Sequence, residues 1–223
     1  MYQGAIFDLD GTLLDSMGVW SEIDVEFFRR HHLALPEDYL AAIAPMGFRR
    51  AAEYTVERFH LALTPEAVME EWHAMAVEAY RCGVSLKPYA AEYLYRLKQN
   101  GIRLAVATAS QEELFLPALR HCGVLALFDC ITVLEEVPRG KGFPDIYWKA
   151  AERLALPQES CIVFEDILEG VRGAKSGGFY TIAVADPSSE AHRAEISALA
   201  DRFIFGFDEL LQADVFPGSN AAE

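Results

Sequence analysis

Two aspartates stand two residues apart immediately after the first apolar run, in the segment Phe7-Asp8-Leu9-Asp10-Gly11-Thr12. In an extended strand, residues two apart point to the same side, so Asp8 and Asp10 can converge on one site. Ligands of open parallel sheets bind beyond the carboxyl ends of the strands, which is where this pair falls. A plain acidic turn would also use Asp and Gly. A calcium loop is excluded because its helix-loop-helix context and later Glu ligand are missing.

A hydroxyl and an ammonium follow two later apolar runs. Thr108, followed by Ala109, ends the second run just before a helix start, where unpaired backbone amides favour an anion. Lys141 offers a flexible cation ahead of another helix. Taken singly, these are typical of a helix cap and a solvated charge. Taken together, they predict a phosphate-sized anion site at the rim of the sheet.

A second pair of acids ends the fourth apolar run. Glu165 and Asp166 stand next to each other at this point. Carboxylate oxygens are the ligands that hard divalent cations prefer. With Asp8, the pair is therefore sufficient to complete a hard-cation site on the same rim.

The elements that must position these residues alternate between short apolar runs and longer amphipathic segments. Such runs, apolar on both faces, are typical of parallel strands covered by helices. They are residues 4–9, 104–108, 130–134, 161–164 and 180–184. The segments between them end at glycines suited to left-handed helix caps, namely Gly101, Gly123 and the pair 177–178. This alternation predicts an α/β fold with a doubly wound parallel sheet.

The segment between the first and second runs is different. Residues 15–83 contain no strand pattern and show helical spacing over 20–32, 48–59 and 64–80. The pattern predicts a helical module inserted into the α/β domain. The two crossings, near 14–16 and 82–88, would form a hinge.

Composition narrows the class of ligand. The net charge is −15, from 19 basic and 34 acidic residues, and no basic run occurs. Such a surface disfavours nucleic acid and anionic lipid and favours small-molecule chemistry. No apolar stretch approaches the roughly 18 residues of a membrane span, so we expect a cytoplasmic protein that is a monomer or a weak dimer. The four cysteines are too scattered for a zinc site or a disulfide framework.

With these motifs in this order, the sequence resembles the haloacid dehalogenase superfamily, specifically its phosphatase and β-phosphoglucomutase-like branch with a helical cap. The resemblance extends from residue 5 to about residue 205. It implies a Rossmann-like core formed by 1–14 and 85–223, with a helical cap domain formed by 15–84.

The resemblance also implies roles for the rim residues. Asp8 would be the nucleophile and Asp10 the general acid and base, whereas Thr108, Ala109 and Lys141 would hold the transferring phosphoryl group. Dehalogenating members lack an acid at the position of Asp10, and ion-pumping ATPases carry threonine there. The motif therefore indicates phosphoester turnover.

The implied cofactor is Mg²⁺. By the resemblance, Asp8 and Asp166 would bind the ion together with a backbone carbonyl that matches Asp10. Glu165 fits an outer position around it.

The implied substrate is a small phosphorylated metabolite, either a sugar phosphate or a nucleotide. Arg49, or its neighbour Arg50, lies near the place where sugar-phosphate mutases keep an arginine for the distal phosphate, although an exposed helix face explains both. Trp20 would line the leaving-group pocket, as would Met17, although core packing is the commoner fate of such side chains. The mutases carry a histidine about where Trp20 stands and a lysine further on in the cap, yet no lysine precedes Lys87.

Hydrolysis of a small phosphomonoester is therefore favoured. The alternatives are a mutase, which would be an isomerase, and a catalytically idle binding protein.

Overall fold

The strands of the chain are short and mostly buried. The computed structural model describes residues 2–43, 46 and 48–212. In chain order the strands are β1 Gly4–Phe7, β2 Leu14–Asp15, β3 Ser85–Leu86, β4 Arg103–Thr108, β5 Cys130–Val133, β6 Cys161–Glu165, β7 Tyr180–Val184 and β8 Arg202–Ile204.

Six of these strands form one parallel sheet in the order β5-β4-β1-β6-β7-β8. The chain winds outward from β1 in one direction through β4 and β5, and in the other direction through β6, β7 and β8. The strand order therefore reverses beside β1, where doubly wound sheets bind their ligands. The predicted α/β class with a Rossmann-like doubly wound sheet is confirmed.

The register of the central strands aligns the ends that carry the chemistry. Phe7, the last residue of β1, pairs with Val106 of β4 and Phe164 of β6. The rings of Phe7 and Phe164 stack with their centroids 4.3 Å apart. Full burial of each such ring contributes about 1.5–3 kcal/mol. The residues that follow Phe7, Val106 and Phe164 consequently emerge at the same edge of the sheet.

Cap residues in the sequence explain where several of the helices begin and end. They are α1 Val19–Arg30, α2 Tyr39–Ile43, α3 Phe48–Phe59, α4 Pro65–Cys82, α5 Ala90–Gln99, α6 Glu112–His121, α7 Asp145–Arg153, α8 Leu168–Ser176, α9 Arg193–Leu199 and α10 Asp208–Gln212. The predicted glycine caps are confirmed, since Gly101, Gly123 and Gly178 follow α5, α6 and α8 with φ values of 75°, 73° and 82°. At the start of α4, Thr64 accepts a hydrogen bond from the amide of Ala67 at 3.2 Å.

Two compact units divide the chain. The larger consists of Met1–Met17 with Val84–Glu223, and the smaller, helical unit is Gly18–Gly83. Within the larger unit, α7 covers one face of the sheet, where Ile146 and Tyr147 pack in a cluster with Ile6 and Val163. Within the helical unit, Phe27 of α1 meets Trp72 of α4 with a ring separation of 5.6 Å. None of the described helices is long and apolar enough to cross a bilayer.

Several elements differ from the sequence prediction, which also did not include the short helices α2 and α9. Asp15, predicted to lie in a strand-free segment, ends β2, which pairs with β3 in an antiparallel ladder. The strand β8 was not predicted because its three residues form no continuous apolar run and lie at the sheet edge. The helix α10 was missed because only one of its five residues is buried, which leaves little periodic pattern.

The helical unit contains a buried acid, Asp24, on α1. Asp24 is only 8% exposed. Among the described residues, none forms a hydrogen bond or an ion pair with its carboxylate. Burial raises the pKa of Asp24 from 3.8 to about 6. The folded state therefore binds the proton more tightly than the unfolded state, and stability falls as the pH rises through this interval.

Replacing Asp24 with Asn should stabilise the protein at pH 8 by about 2 kcal/mol, because the ionised carboxylate no longer has to be buried. The gain should shrink towards pH 4, where the folded protein already holds this acid in its protonated form. Urea unfolding of the wild type and Asp24→Asn at both pH values measures this difference. An equal gain at both pH values would contradict the electrostatic explanation.

Candidate active site

The nucleophile predicted from the sequence is buried beside an ammonium. Asp8 directly follows β1, and its amide donates to the carbonyl of Phe164 at 3.0 Å, which ties it to β6. Asp8 is 5% exposed and Lys141 is 8% exposed. The Nζ of Lys141 donates to Oδ1 of Asp8 and also, at 2.6 Å, to Oε1 of Glu165. One ammonium thus bridges two buried carboxylates.

A glycine lets the Lys141 loop reach this position. A Cβ on Gly173 of α8 would collide with the carbonyl oxygen of Lys141 and come within 2.8 Å of that of Phe143. The loop and α8 can therefore approach each other only because residue 173 has no side chain.

Glu165 and Asp166, at the end of β6, each have one carboxylate oxygen that accepts a hydrogen bond and one that accepts none from the described residues. The hydroxyl of Tyr147 donates to Oε1 of Glu165 at 2.7 Å, and the hydroxyl of Thr12 donates to Oδ1 of Asp166 at 3.0 Å. Oε2 of Glu165 and Oδ2 of Asp166 are buried, and neither has a hydrogen-bond partner among the described residues. Burying a carboxylate oxygen without a partner is energetically unfavourable, so a ligand that contacts these two atoms would stabilise the site.

A divalent cation fits this set of oxygens. Asp8, Glu165 and Asp166 each offer a carboxylate oxygen, and these atoms all lie within 4.8 Å of one another. Oxygen donors of this kind suit hard cations such as Mg²⁺ or Ca²⁺. The three side chains can therefore hold a metal ion.

The net charge of the buried groups also favours a bound cation. Burial raises the pKa of Asp8 above its ordinary value, that of Glu165 to about 7 and that of Asp166 to about 8. The Asp8 carboxylate adds to the upward shifts of Glu165 and Asp166. Burial alone would favour the neutral amine of Lys141, but the carboxylates of Asp8 and Glu165 raise its pKa above the ordinary value. When ionised, the three acids outweigh the single ammonium by two negative charges. A bound cation would offset this excess.

The second acid of the first motif is held by a tight turn. Three amides, those of residues 12, 13 and 14, donate to the carbonyl of Leu9 at 2.8–3.2 Å. Gly11 adopts φ 84°, and a Cβ there would also collide with the Asp166 carboxylate. The hydroxyl of Ser16 donates to Oδ1 of Asp10 at 2.6 Å. The turn therefore fixes Asp10, which is partly exposed, near Asp8.

Thr108 and Ala109 lie at the end of the neighbouring strand. Thr108 is buried at the end of β4, and its hydroxyl oxygen accepts a hydrogen bond from the amide of Ser110 at 3.0 Å. Ala109 is exposed. No hydrogen bond joins Thr108 to Asp8 or Lys141 among the described residues, so their use as phosphate ligands stays a prediction.

The two predicted substrate contacts of the helical unit have partners within that unit. Arg49 forms an exposed ion pair with Glu66 at 2.8 Å. Trp20 is 36% exposed, and its ring lies 5.7 Å from that of Phe48. Their role in substrate binding stays a prediction.

Sequence reasoning missed several residues that support the site: Thr12, Ser16, Tyr147, Gly170 and Gly173. Thr12 ends the first motif and Ser16 follows it, so their nearness in sequence to Asp8 and Asp10 was the available signal. The position of Tyr147 six residues after Lys141 gave no sign that its hydroxyl would reach Glu165.

Comparisons with known proteins agree with this arrangement. A family model described as haloacid dehalogenase-like hydrolase matches residues 2–178. The chain is 29% identical to validoxylamine A 7'-phosphate phosphatase of Streptomyces hygroscopicus subsp. limoneus, over 97% of this chain and 100% of that protein. It is 31% identical to hexitol phosphatase A of Escherichia coli K12, over 87% and 88%.

A solved structure is similar over nearly the full length of the chain. A provisional β-phosphoglucomutase from Thermotoga maritima superposes with a TM-score of 0.85, at 26% identity, over 95% of this chain and 97% of that chain. The similarity therefore extends well beyond the sheet and its motifs.

Replacing Lys141 with Met should destabilise the protein by about 3–5 kcal/mol in EDTA, because it leaves Asp8 and Glu165 buried without a cation. The partly exposed Lys149, whose Nζ lies 3.7 Å from the Glu136 carboxylate and donates to the Glu136 carbonyl at 3.0 Å, provides the matched control. Lys149→Met should change stability by less than about 0.5 kcal/mol. Urea unfolding at pH 8 measures both. Equal effects of the two substitutions would contradict a buried ion bridge.

Proposed function

Because the chain belongs to the haloacid dehalogenase-like hydrolase family, we propose that it is a Mg²⁺-dependent phosphatase that hydrolyses a small phosphomonoester through an aspartyl-phosphate on Asp8. The family resemblance predicted from the motifs is confirmed by the match over residues 2–178. The observation that carries the proposal is the Lys141 ammonium, which is held between Asp8 and Glu165 next to Asp166.

The first step is attack by an oxygen of Asp8 on phosphorus. Bringing a carboxylate to a phosphate dianion costs about 4 kcal/mol per pair of unit charges at 4 Å and an effective dielectric near 20. An ammonium has three donors, and Lys141 uses two of them on Asp8 and Glu165. The third donor is available for a phosphoryl oxygen, where it would offset this repulsion.

Asp10 would move the protons in both half-reactions. As the bond between phosphorus and the leaving oxygen breaks, the carboxylic acid of Asp10 protonates that oxygen, and the alcohol departs. The resulting carboxylate then takes a proton from the water that attacks the aspartyl-phosphate, releasing phosphate and restoring Asp8. The hydrogen bond from Ser16 would keep Asp10 in place for both transfers.

We assign Mg²⁺ as the cofactor. Asp8, Asp166 and the backbone carbonyl of Asp10 would hold it, with Glu165 in an outer position. When bound, Mg²⁺ supplies charge neutralisation for a nucleophile and a phosphoryl group of like charge. Thr108 and the amide of Ala109 would hold the equatorial phosphoryl oxygens.

The leaving group is a small polyhydroxylated molecule in this proposal. Two of the relatives are named validoxylamine A 7'-phosphate phosphatase and hexitol phosphatase A, and another is named as a probable pseudouridine-5'-phosphatase, so the proposed class includes both sugar phosphates and nucleotides. Residues 15–84 would act as the cap that reads this group, with Arg49 and Trp20 in contact with it. A cytoplasmic location and a monomeric or weakly dimeric state stay predictions.

A sugar-phosphate mutase is the second candidate. The similarity to a provisional β-phosphoglucomutase supports it. Trp20 in place of the mutase histidine, and the absence of lysine before Lys87, argue for hydrolysis.

Replacing Asp8 with Asn should reduce phosphate release by about 10³-fold or more, because the amide cannot form the aspartyl-phosphate. A panel of sugar phosphates, polyol phosphates and nucleotides, assayed for inorganic phosphate with Mg²⁺, measures this. Asp15→Asn, which changes an exposed acid nearby, is the control and should keep full activity.

Two outcomes would overturn hydrolysis. Conversion between sugar-phosphate isomers that depends on a bisphosphate and releases little phosphate would establish the mutase. A wild type that matches Asp8→Asn on every substrate and forms no fluoroberyllate adduct would indicate an idle binding protein.

Mg²⁺ at about 100 times its dissociation constant should stabilise the wild type by about 2.7 kcal/mol. For a chain of this size, this corresponds to a rise in Tm of roughly 5–10 °C. Asp166→Asn should lose most of the rise, whereas Asp15→Asn should retain it. Thermal unfolding with Mg²⁺ and with EDTA provides the measurement. Equal rises in both variants would place the metal elsewhere.

A further inference from the structure

We propose that Tyr147 is a positioning residue, whose hydroxyl fixes the Glu165 carboxylate so that Glu165 in turn aims Lys141 at Asp8. The inference rests on the proposed phosphatase function and extends it to a residue that neither the motifs nor the comparisons assign. It is carried by a chain of hydrogen bonds that runs from α7 to the nucleophile.

The hydrogen bonds converge on a single oxygen. Tyr147 donates to Oε1 of Glu165 at 2.7 Å, and Lys141 donates to the same atom at 2.6 Å. Oε2 of Glu165 has no partner among the described residues. The terminal torsion of a glutamate is broad, so the carboxylate could otherwise rotate and offer either oxygen to the lysine. The tyrosine selects one orientation.

The tyrosine itself is rigidly held. Tyr147 is completely buried on α7 and packs in the core cluster that includes Ile6 and Val163. Its ring meets that of Phe179 edge to face, with centroids 6.2 Å apart. The hydroxyl is therefore presented from a fixed side chain rather than from a mobile loop.

The hydroxyl acts only as a donor towards Glu165. Burial and the nearby Glu165 carboxylate raise the pKa of Tyr147 well above 10, so the phenol stays protonated. A phenylalanine would fill the same space without the cost of burying a hydroxyl. The hydrogen bond to Glu165 is the contact that a phenylalanine would lose.

The opposite side of Glu165 is bounded by the backbone of α8. A Cβ on Gly170 would collide with the Glu165 carboxylate, whose Oε1 lies 2.8 Å from the Cβ position. The carboxylate is therefore confined between a glycine on one helix and a tyrosine on another. Changes at residues 147 and 170 should act on the same group from its two sides.

The chain offers a matched control in Tyr93. This tyrosine is also completely buried in the larger unit, but its hydroxyl has no hydrogen-bond partner among the described residues. Tyr93→Phe thus removes a buried phenol oxygen that supports no other group. The comparison separates loss of a hydroxyl from loss of the contact with Glu165.

The test compares Tyr147→Phe, Gly170→Ala, their double variant and Tyr93→Phe, using p-nitrophenyl phosphate with saturating Mg²⁺. We expect kcat of Tyr147→Phe to fall about 10–100-fold, the range for residues that orient a metal-site or catalytic group, with KM within about twofold. Tyr93→Phe should keep the kcat of the wild type. The double variant should be no slower than the slower single variant, because both changes act through Glu165.

Three results would overturn the inference while leaving the phosphatase intact. These are an unchanged kcat in Tyr147→Phe, an equal loss in Tyr93→Phe, and losses that multiply in the double variant. If Tyr147→Phe fails to fold, Gly170→Ala alone must show the selective loss of kcat, and an unchanged kcat there rejects the proposal. Absence of activity in the wild type would instead count against the proposed function.

Discussion

The site depends on one buried ammonium that contacts two carboxylates. The protein carries 34 acidic and 19 basic residues, so its overall field repels a phosphate at long range. Attraction must therefore come from charges within the site. Lys141 places a positive charge there, and its contacts with Asp8 and Glu165 make the burial of all three groups tolerable. The free oxygens of Glu165 and Asp166 then leave room for a second positive charge.

The parallel sheet and two glycines make this arrangement possible. Residues more than 150 positions apart, such as Thr12 and Asp166, meet because β1 and β6 are adjacent and parallel and end at the same edge. The acids can approach so closely only where no Cβ intervenes. Gly11 leaves space for Asp166, and Gly170 leaves space for Glu165. Replacement of either glycine by alanine would change the position of an acid without changing its chemistry.

The features that could be predicted from the sequence are those that depend on hydrophobic periodicity and on local chain direction. It predicted five strands of the sheet, the helical insertion and the glycine caps, because each leaves a pattern within about ten residues. It also indicated that Asp8, Lys141, Glu165 and Asp166 lie on one rim, and the structure brings these four together. The partner of Glu165 could not be predicted, since a hydrogen bond from Tyr147 depends on how α7 packs against the sheet. The edge strand β8 was missed because a short, partly exposed strand has no distinctive spacing.

The β2–β3 ladder has a consequence for how such a protein can evolve. Leu14 pairs with Leu86 and Asp15 with Ser85, and the side chain of Lys87 is anchored to Asp186 at 2.9 Å. The chain thus leaves and re-enters the sheet-containing unit at one hydrogen-bonded point. Recombination could exchange everything between these two strands for another segment of any length without shifting the register of a single catalytic strand. Exchange of the inserted segment could in this way change which metabolite is bound, while the sheet and its catalytic residues stay the same.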